Sequence, residues 1–316
     1  KLLVFFVFVV FFFVFVVHAQ QPGPFDVQQV HLSFGYMNQT SCSFFVMWLT
    51  FSKTEQSICH FGLSKNSLTN TQSGSSSTYH VSYNHVVELV QLDYDQTYYY
   101  QCGDGAENLS DVFFFSTPPK TSQSFKIAIY GDMGVKNSKQ TRDLLIQRLD
   151  GYAFISHIGD LAYADDESRS KYEEIWNLWQ SEMQPIAAYK PYMTLPGNHD
   201  IDCNSVSGVI GCQSWSDNCT AYNNRFRMPS MYSGGAFNMW YSFNYSNVRF
   251  IMMDTETDFP KAPEGPHTQY NAGPFGNQIA WLEQELKAAN QDRKNHPWLI
   301  VSGHRPFYSI PVEDWP

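Results

Sequence analysis

Four short motifs in the last two-thirds of the chain carry the residue types best suited to chemistry. Together they offer two aspartates, a tyrosine, an asparagine and a histidine, which are hard oxygen donors combined with an imidazole. The motifs are Gly131-Asp132-Met133-Gly134, Gly159-Asp160-Leu161-Ala162-Tyr163, Gly197-Asn198-His199-Asp200 and Val301-Ser302-Gly303-His304. Such a donor set suits a pair of metal ions better than any single structural role.

The spacing of the first two motifs indicates how the chain could bring them together. Asp132 and Asp160 are separated by 28 positions, about the length of one strand–helix–strand unit. Ligands bind beyond the carboxyl ends of strands in open α/β sheets. We therefore expect two neighbouring parallel strands to present both carboxylates to one crevice. Either aspartate alone would be interpreted as a turn or helix-cap residue, so the prediction depends on the joint pattern.

The elements that must position these motifs alternate between strand and helix patterns. The predicted strands are 125–130, 153–158, 192–195, 240–245, 248–253 and 298–301, and the predicted helices are 138–149, 172–189 and 278–289. This alternation favours an α/β layered domain.

Residues 27–115 show a different, all-β pattern of short runs rich in Val, Phe, Tyr and Thr. The predicted strands are 29–34, 43–50, 57–61, 85–89, 97–102 and 112–116. The polar, Ser-rich stretch 64–78 is expected to be a loop with little capacity to form a core. These six runs, close to the seven short strands typical of the fold, favour a small β-sandwich.

Charge and the first residues of the chain bear on partners and compartment. The net charge of -10 argues against nucleic acid or anionic lipid as a partner recognised through a general positive field. An apolar run from Leu2 to Val17 is short for a membrane span and predicts a secretory signal peptide, residues 1–19, with a retained signal anchor as the alternative. No stable membrane insertion is expected, and the protein would be secreted, extracellular or lysosomal.

Export fits the cysteines and the glycosylation sequons. Six cysteines occur without any C-x-x-C pair, so disulfides of open connectivity are expected, including a stapled loop around Cys203, Cys212 and Cys219. The predicted N-glycosylation sites are Asn38, Asn108, Asn218 and Asn244.

With these motifs in place, the chain resembles the purple acid phosphatases of the metallophosphoesterase superfamily. Two upstream segments are similar to the fibronectin-like N-terminal domain of that family: Gln29-Val30-His31-Leu32-Ser33 and Tyr98-Tyr99-Tyr100-Gln101-Cys102-Gly103-Asp104. The segment His304-Arg305-Pro306-Phe307-Tyr308 is similar to the animal, acid phosphatase type 7-like members.

The resemblance implies a fold and a division of the chain. We expect an all-β, fibronectin type III-like domain at 22–118 and a linker at 119–124. An α/β metallophosphoesterase domain would follow at 125–316, built as a layered β-sandwich flanked by helices. The family's closing Gly-His-x-His motif is absent from this sequence. We expect it beyond Pro316, with little or no activity in the 316-residue chain by itself.

The resemblance also implies a ligand set. Most metallophosphoesterases carry Asp-x-His in the first motif, whereas Gly134 stands at the place of that His and Tyr163 supplies the replacement ligand. By resemblance, Fe3+ is bound by Asp132, Asp160 and Tyr163. Asp160 would bridge to a divalent ion (Fe, Zn or Mn) that Asn198 and His304 also hold. A phenol with a pKa of about 10 needs a strong Lewis acid to ionise at acidic pH.

The activity implied is that of an acid phosphatase acting on small phosphate monoesters, by attack of a hydroxide held on the dinuclear Fe(III)–M(II) centre. His199 would sit beside the phosphate, bind the substrate and protonate the leaving alkoxide. The alternative for His199 is a metal ligand or a loop-stabilising residue. Asp200 is expected to orient its neighbours, and Arg305 to contact phosphate or to have a structural role.

The remaining acidic run, Asp165-Asp166-Glu167, is expected to be a solvated loop. Two rival functions stay open at this point. One is another dimetal phosphodiesterase or nucleotidase, against which Tyr163 and Gly134 argue. The other is a non-catalytic fragment, because the closing motif is absent.

Overall fold

The computed structural model of the protein describes residues 22–136, 138–201, 219–260 and 275–308. The predicted signal peptide, Cys203, Cys212 and Asn218 lie outside these residues. Within the described ranges, no helix combines the length and the apolar character that crossing a bilayer requires.

The N-terminal part is a sandwich of two four-stranded sheets. Its strands are β1 (Gln28–Met37), β2 (Cys42–Thr50), β3 (Ile58–Gly62), β4 (Asn70–Ser73), β5 (Ser75–Tyr79), β6 (Ser82–Leu92), β7 (Thr97–Gly103) and β8 (Phe113–Ser116). One sheet has the order β1-β2-β6-β5 and the other β4-β3-β7-β8, with every neighbouring pair antiparallel. Aromatic side chains fill the core between them, as in the stacked pair Phe44 and Phe115.

The prediction that 64–78 is a loop is wrong, because this stretch contains β4 and β5. Both strands are edge strands, and almost all their side chains are exposed or half-buried. Backbone pairing with β3 and β6 holds them in place, so they need no apolar run. Polar edge strands of this kind also resist pairing with a second molecule.

The C-terminal part alternates strands and helices. Its strands are β9 (Ala128–Tyr130), β10 (Ile155–Ile158), β11 (Tyr192–Leu195), β12 (Tyr241–Tyr245), β13 (Val248–Met252) and β14 (Trp298–Ser302). Its helices are α1 (Lys139–Gln147), α2 (Tyr172–Ala187), α3 (Thr220–Arg225), α4 (Ser230–Ser233) and α5 (Gln278–Gln291). Each predicted strand and helix of this part is present, with ends that differ by up to three residues.

Two three-stranded sheets form the layers of this part. In the first, β10 lies between β9 and β11, and both pairings are parallel. In the second, β13 pairs antiparallel with β12 and parallel with β14. Phe154, just before β10, packs edge to face on Phe243 and Phe250, with ring centroids 5.6 and 5.3 Å away. This layered sandwich, preceded by an all-β part, confirms the predicted fold class.

Strand β1 joins the two parts, which explains why it is buried along most of its length. The His31 ring contacts the Arg225 carbonyl, with Nε2 at 2.8 Å. The backbone N–H of Val30 donates to the Gln184 side chain at 2.9 Å. The backbone of β1 therefore contacts α2, and one of its side chains contacts α3.

Candidate metal centre

The loops that leave β9 and β10 are hydrogen-bonded to each other, and this brings the first two motifs together. The backbone N–H groups of Asp132, Met133 and Gly134 donate to the carbonyls of residues 159, 160 and 161 at 3.2, 3.1 and 2.9 Å. Asp132 and Asp160 share a left-handed backbone, with φ of 54° and 55°. The parallel pairing therefore places both carboxylates at one edge of the sheet, as the spacing of the motifs predicts.

Tyr163 connects these two carboxylates. Its hydroxyl lies 3.0 Å from Asp132 Oδ1 and 3.1 Å from Asp160 Oδ2. Burial and the two neighbouring carboxylates raise the pKa of Tyr163 above its ordinary value. The phenol is therefore a neutral donor in the bare site, and its ionisation requires a strong local positive charge.

His304 and Asn198 approach Asp160 from the other side. His304 Nε2 lies 3.2 Å from Asn198 Oδ1 and 3.4 Å from Asp160 Oδ1. The opposite ring nitrogen, Nδ1, lies 2.9 Å from the Ile158 carbonyl, which fixes the orientation of the imidazole. The ligating atoms of Asp132, Asp160 and His304 are all within 4.8 Å of one another. Asp160 thus stands between two sets of donors.

Gly134 and Tyr163 depend on each other. Gly134 has a φ of +62°, and a Cβ at this position would lie 3.1 Å from Tyr163 Cδ2. The phenol ring occupies the space above the glycine, so a larger residue at 134 would displace it. A side chain at position 134 and the Tyr163 ring would therefore compete for the same space. The exchange of a His ligand at this position for Tyr163 stays a prediction.

Asp200 holds the loops after β10 and β11 together through hydrogen bonds to their backbone. Its side chain is fully buried, and it accepts N–H donors from Gly197 at 2.9 Å, Asp160 at 2.8 Å and Leu161 at 3.0 Å. These bonds fix the backbone on both sides of the Asp160 carboxylate. Asp200 therefore lies where it can orient the neighbouring groups.

His199 lies over the site and is held by an acidic residue. Its backbone N–H donates to Asp160 Oδ1 at 2.9 Å, and its ring packs against the Tyr163 ring with centroids 4.2 Å apart and an interplanar angle of 34°. Ring atom Nδ1 lies 2.9 Å from Asp165 Oδ2. Burial opposes the positive charge, but the Asp165 carboxylate outweighs it and raises the pKa of His199 to about 9.

The prediction that 165–167 is a solvated loop is wrong for Asp165, which is 5% exposed. The residue sits in a short 3-10 turn, Ala164–Asp166, that begins directly after Tyr163. Burial raises the pKa of Asp165 to about 6, against the lowering effect of the His199 ring. In the sequence, the one indication that Asp165 belongs to the site is its position two residues after the candidate ligand Tyr163. Composition alone does not distinguish such a residue from one in an exposed acidic loop.

Arg305 binds a buried acidic partner, Glu256, that no sequence motif indicates. Its guanidinium binds the Glu256 carboxylate, with Nε–Oε1 at 2.9 Å and Nη2–Oε2 at 2.8 Å, and Glu256 is fully buried. The Arg305 backbone N–H also donates to Thr255 Oγ1 at 3.0 Å. These contacts tie the loop after β14, which carries His304, to the loop after β13. The structural alternative for Arg305 is therefore the one that its contacts favour.

Three of the four predicted glycosylation sites are described. Asn38 is exposed in a turn, where its side chain accepts N–H donors from Thr40 and Ser41 at 2.8 and 2.9 Å. Asn108 donates to Asp104 at 2.6 Å, and Asn244 lies on β12 beside Arg249. Both are half-buried, so Asn38 has the most accessible side chain of the three.

The donor set fits metal ions on its own chemistry. Carboxylates, a phenol, an amide oxygen and an imidazole converge on one edge of the sheet, with the buried Asp165 and Asp200 close by. An anionic phosphate ester would be repelled by such a crevice unless cations were bound there. The same carboxylates would repel one another without a cation between them.

Comparison with known proteins links both parts of the chain to phosphatases. Residues 27–117 match the family model described as "Purple acid Phosphatase, N-terminal domain", and residues 125–315 match the "Calcineurin-like phosphoesterase" model. An acid phosphatase type 7 from Danio rerio is 33% identical over 94% of this chain and 63% of its own length. Acid phosphatase A from Cryphonectria parasitica is 32% identical over 89% of this chain and 67% of its own length.

A solved structure shows the same fold. The purple acid phosphatase from seeds of yellow lupin, Lupinus luteus, superposes with a TM-score of 0.68 at 24% identity, over 89% of this chain and 51% of the lupin chain. The chain thus spans about half to two-thirds of the length of the proteins it matches.

Proposed function

We propose that this chain, which belongs to the purple acid phosphatase family, forms the metal-binding face of an acid phosphatase that hydrolyses small phosphate monoesters. One observation carries the proposal. The Tyr163 hydroxyl contacts both Asp132 and Asp160, while His304 contacts Asp160 from the opposite side. The net charge of -10 favours small esters over nucleic acid as substrates.

The donors divide into two sets around Asp160. Asp132, Asp160 and Tyr163 would hold Fe3+, because a phenolate and two carboxylates suit a hard trivalent ion. Asp160, Asn198 and His304 would hold a divalent ion, either Fe, Zn or Mn. When bound, the two metals would supply the positive charge that attracts the ester and the Lewis acidity that activates water and stabilises the transition state.

His199 is the group that we assign to the leaving alkoxide. Asp165 holds ring atom Nδ1, which leaves Nε2 to donate a proton to a substrate oxygen. The packing of the His199 ring against Tyr163 and the backbone hydrogen bond to Asp160 fix the direction of this donor relative to the proposed metal ligands. Asp165 acts here as a positioning residue, since its contact is with His199.

Colour distinguishes this proposal from a colourless dimetal phosphodiesterase or nucleotidase. If Tyr163 ionises on Fe3+, the iron-loaded, full-length gene product will absorb visible light through a tyrosinate-to-iron transition. The Tyr163→Phe variant keeps the ring that packs on Gly134 but removes the oxygen, so the band should disappear. Retention of an unchanged band by the variant would contradict the assignment of Tyr163.

Substrate preference gives the second test. The metal-loaded, full-length gene product should hydrolyse p-nitrophenyl phosphate much faster than bis-p-nitrophenyl phosphate at acidic pH. The Asp160→Asn variant should lose this activity, because the residue shared by both donor sets would no longer carry charge. A protein that prefers the diester would instead support the phosphodiesterase alternative.

We further propose that the protein is exported to the extracellular space or a lysosome and glycosylated, with Asn38 as the most accessible described site. Treatment of protein from a secretory host with a peptide N-glycosidase should increase its electrophoretic mobility. The Asn38→Gln variant should show one glycan fewer than the wild type. Identical glycan occupancy in the two proteins would contradict this assignment.

A further inference from the structure

Cys59 and Cys102 face each other across two neighbouring strands of the N-terminal sandwich. Cys59 on β3 is the register partner of Cys102 on β7. Residues opposite one another in an antiparallel pair have Cα atoms about 4.5–5.5 Å apart. A disulfide needs a Cα separation of about 4.4–6.8 Å, so the backbone already has a suitable spacing.

The two side chains also share one face of the sheet and contact each other. Both residues are fully buried, and the Cys59 thiol is hydrogen-bonded to Cys102. The second contact of Cys102 is to Ser110 Oγ at 3.7 Å. Both sulfur atoms therefore lie on the core-facing side of the sheet. A bond between them can form there while β3 and β7 stay paired.

The surroundings of the pair disfavour other uses of these cysteines. The clusters of metal-ligating side chains found among the described residues contain neither Cys59 nor Cys102. Cys42, by comparison, lies on β2 opposite Leu92, in the other sheet. The pairing of β3 with β7 thus selects one cysteine partner for Cys59 in the described part of this sandwich.

We propose that Cys59 and Cys102 form a cross-strand disulfide that links β3 to β7 when the protein folds with a small-molecule disulfide as oxidant. In this structure both residues are thiols. Export through an oxidising compartment would supply that oxidant, and glutathione disulfide serves as the reagent in vitro.

The reaction balances as two thiol–disulfide exchanges. One cysteine thiolate attacks a sulfur of glutathione disulfide, whose S–S bond breaks to release one glutathione thiolate. The second cysteine thiolate then attacks the protein sulfur of the mixed disulfide and releases the second glutathione. The two cysteines lose two protons and two electrons in total, and glutathione disulfide is reduced to two glutathione molecules.

Burial of the two thiols in the folded core determines the stage of folding at which the disulfide can form. Both thiols are fully buried in the folded sandwich, and burial raises the pKa of the Cys59 thiol well above its ordinary value. Exchange needs an accessible thiolate. Oxidation is therefore fast while the strands assemble and slow once the folded, reduced core has closed.

Peptide mapping tests the proposal directly, because trypsin separates the two cysteines. Cys59 falls in peptide 54–65 and Cys102 in peptide 66–120, each with a single cysteine, whereas Cys42 precedes Lys53. The full chain would be refolded with glutathione disulfide, unfolded with iodoacetamide, deglycosylated and digested without reductant. We expect one linked species with the summed mass of both peptides less two hydrogens, and an alkylated Cys42.

Variants and timing provide the controls. Cys59→Ser should abolish the linked species and leave Cys102 alkylated, and Cys102→Ser should do the reverse. Wild-type protein that is folded first and oxidised later should form the link many times more slowly. Recovery of Cys59 and Cys102 as separate alkylated peptides from the refolded wild type would overturn the proposal. So would a link from either residue to Cys42.

Discussion

Gly197 has no side chain, and the geometry of the metal centre requires this. A Cβ at position 197 would lie 2.2 Å from Asp160 Oδ1 and 2.5 Å from the Asp160 backbone nitrogen. Neither atom can move away easily, because Asp200 holds the Asp160 N–H and the His199 N–H holds Oδ1. At the scale of single residues, the position of the Asp160 carboxylate therefore depends on the absence of a Cβ at Gly197.

We predict that Gly197→Ala weakens metal binding by about 10-fold or more, in the range seen when groups that support ligands are lost. Titration of the metal-free protein with zinc, followed by competition with a chelator, measures the change. Gly151→Ala is the matched control, since a Cβ at that position would meet nothing within 4 Å. Equal zinc affinity in the two variants would show that the Asp160 loop is not constrained as described.

Asp165 and Asp166 provide a second matched pair. Asp165 contacts the His199 ring at 2.9 Å, whereas Asp166 lies 3.7 Å away and its side chain is 43% exposed. We predict that Asp165→Asn lowers kcat for a phosphate monoester by about 10- to 100-fold while the metal content stays constant. Asp166→Asn should retain most of the activity. Loss of metal from Asp165→Asn would instead indicate a structural role.

At the scale of elements, the buried His85 makes the stability of the N-terminal sandwich depend on pH. Its ring stacks on Trp48, with Nδ1 2.8 Å from Ser57 Oγ and Nε2 2.9 Å from Thr50 Oγ1. The Thr50 hydroxyl donates to the Ser52 carbonyl, so it can only accept from His85 Nε2. The neutral ring with its proton on Nε2 satisfies all of these bonds, and burial lowers the pKa of His85 to about 4.

The sign of the pH effect follows from this lowered pKa. The unfolded chain binds a proton at His85 with a pKa of about 6.5, so below that value it takes up more protons than the folded chain. The stabilising contribution is complete above about pH 6.5 and is lost as the pH falls towards 4. We predict that wild type loses up to about 3 kcal/mol more stability than His85→Gln over this range. Urea denaturation at each pH measures the difference, and parallel pH profiles would contradict the prediction.

The elements also show where sequence reasoning succeeds. Strands β10 to β13 and helix α2 were predictable because their apolar side chains are largely buried, and an apolar pattern reports burial. Strands β9 and β14 and helices α1 and α5 kept a recognisable apolar pattern although much of their surface is exposed or half-buried. Strands β4 and β5 were not predicted, because an edge strand can be held by backbone hydrogen bonds alone and then has no apolar pattern in the sequence. The contact of Asp165 with His199 was also not predicted. The 3-10 turn buries Asp165 and exposes the neighbouring Asp166, and the acidic run in the sequence does not show which of the two is buried.

The proposed disulfide belongs to the same scale. A link between Cys59 and Cys102 would close a loop of 43 residues between β3 and β7. The chain-entropy model assigns about 4 kcal/mol to a loop of this length. The refolded, oxidised protein should therefore have a higher thermal midpoint than the Cys59→Ser variant, and equal midpoints would exclude a stabilising link.

At the scale of the whole molecule, a buried ion pair joins the two parts of the chain. Arg225 is 2% exposed and binds Glu173 at 2.6 Å, while the Tyr79 hydroxyl from the N-terminal sandwich donates to the same carboxylate at 2.6 Å. Arg225 also lies 5.7 Å from the centroids of the Tyr79 and Trp176 rings. Removal of the arginine would leave Glu173 buried without its cation.

We predict that Arg225→Leu destabilises the protein by about 3–5 kcal/mol and that Arg225→Leu combined with Glu173→Gln recovers part of the loss. Chemical denaturation followed by tryptophan fluorescence measures both. Lys287→Ala, which breaks an exposed ion pair with Glu283, is the control and should cost less than about 1 kcal/mol. If Arg225→Leu were as stable as this control, the ion pair would not be a main link between the two parts.

The proposed function depends most on Asp160, which we propose is shared by two metal sites at the edge of the β9–β11 sheet. The most direct test measures the metal content of the full-length gene product after loading with iron and zinc, for wild type and for Asp160→Ala. We predict one iron and one zinc per wild-type chain, and loss of both metals from the variant while its circular dichroism spectrum stays unchanged. A folded Asp160→Ala variant that keeps both metals at wild-type stoichiometry would contradict the claim.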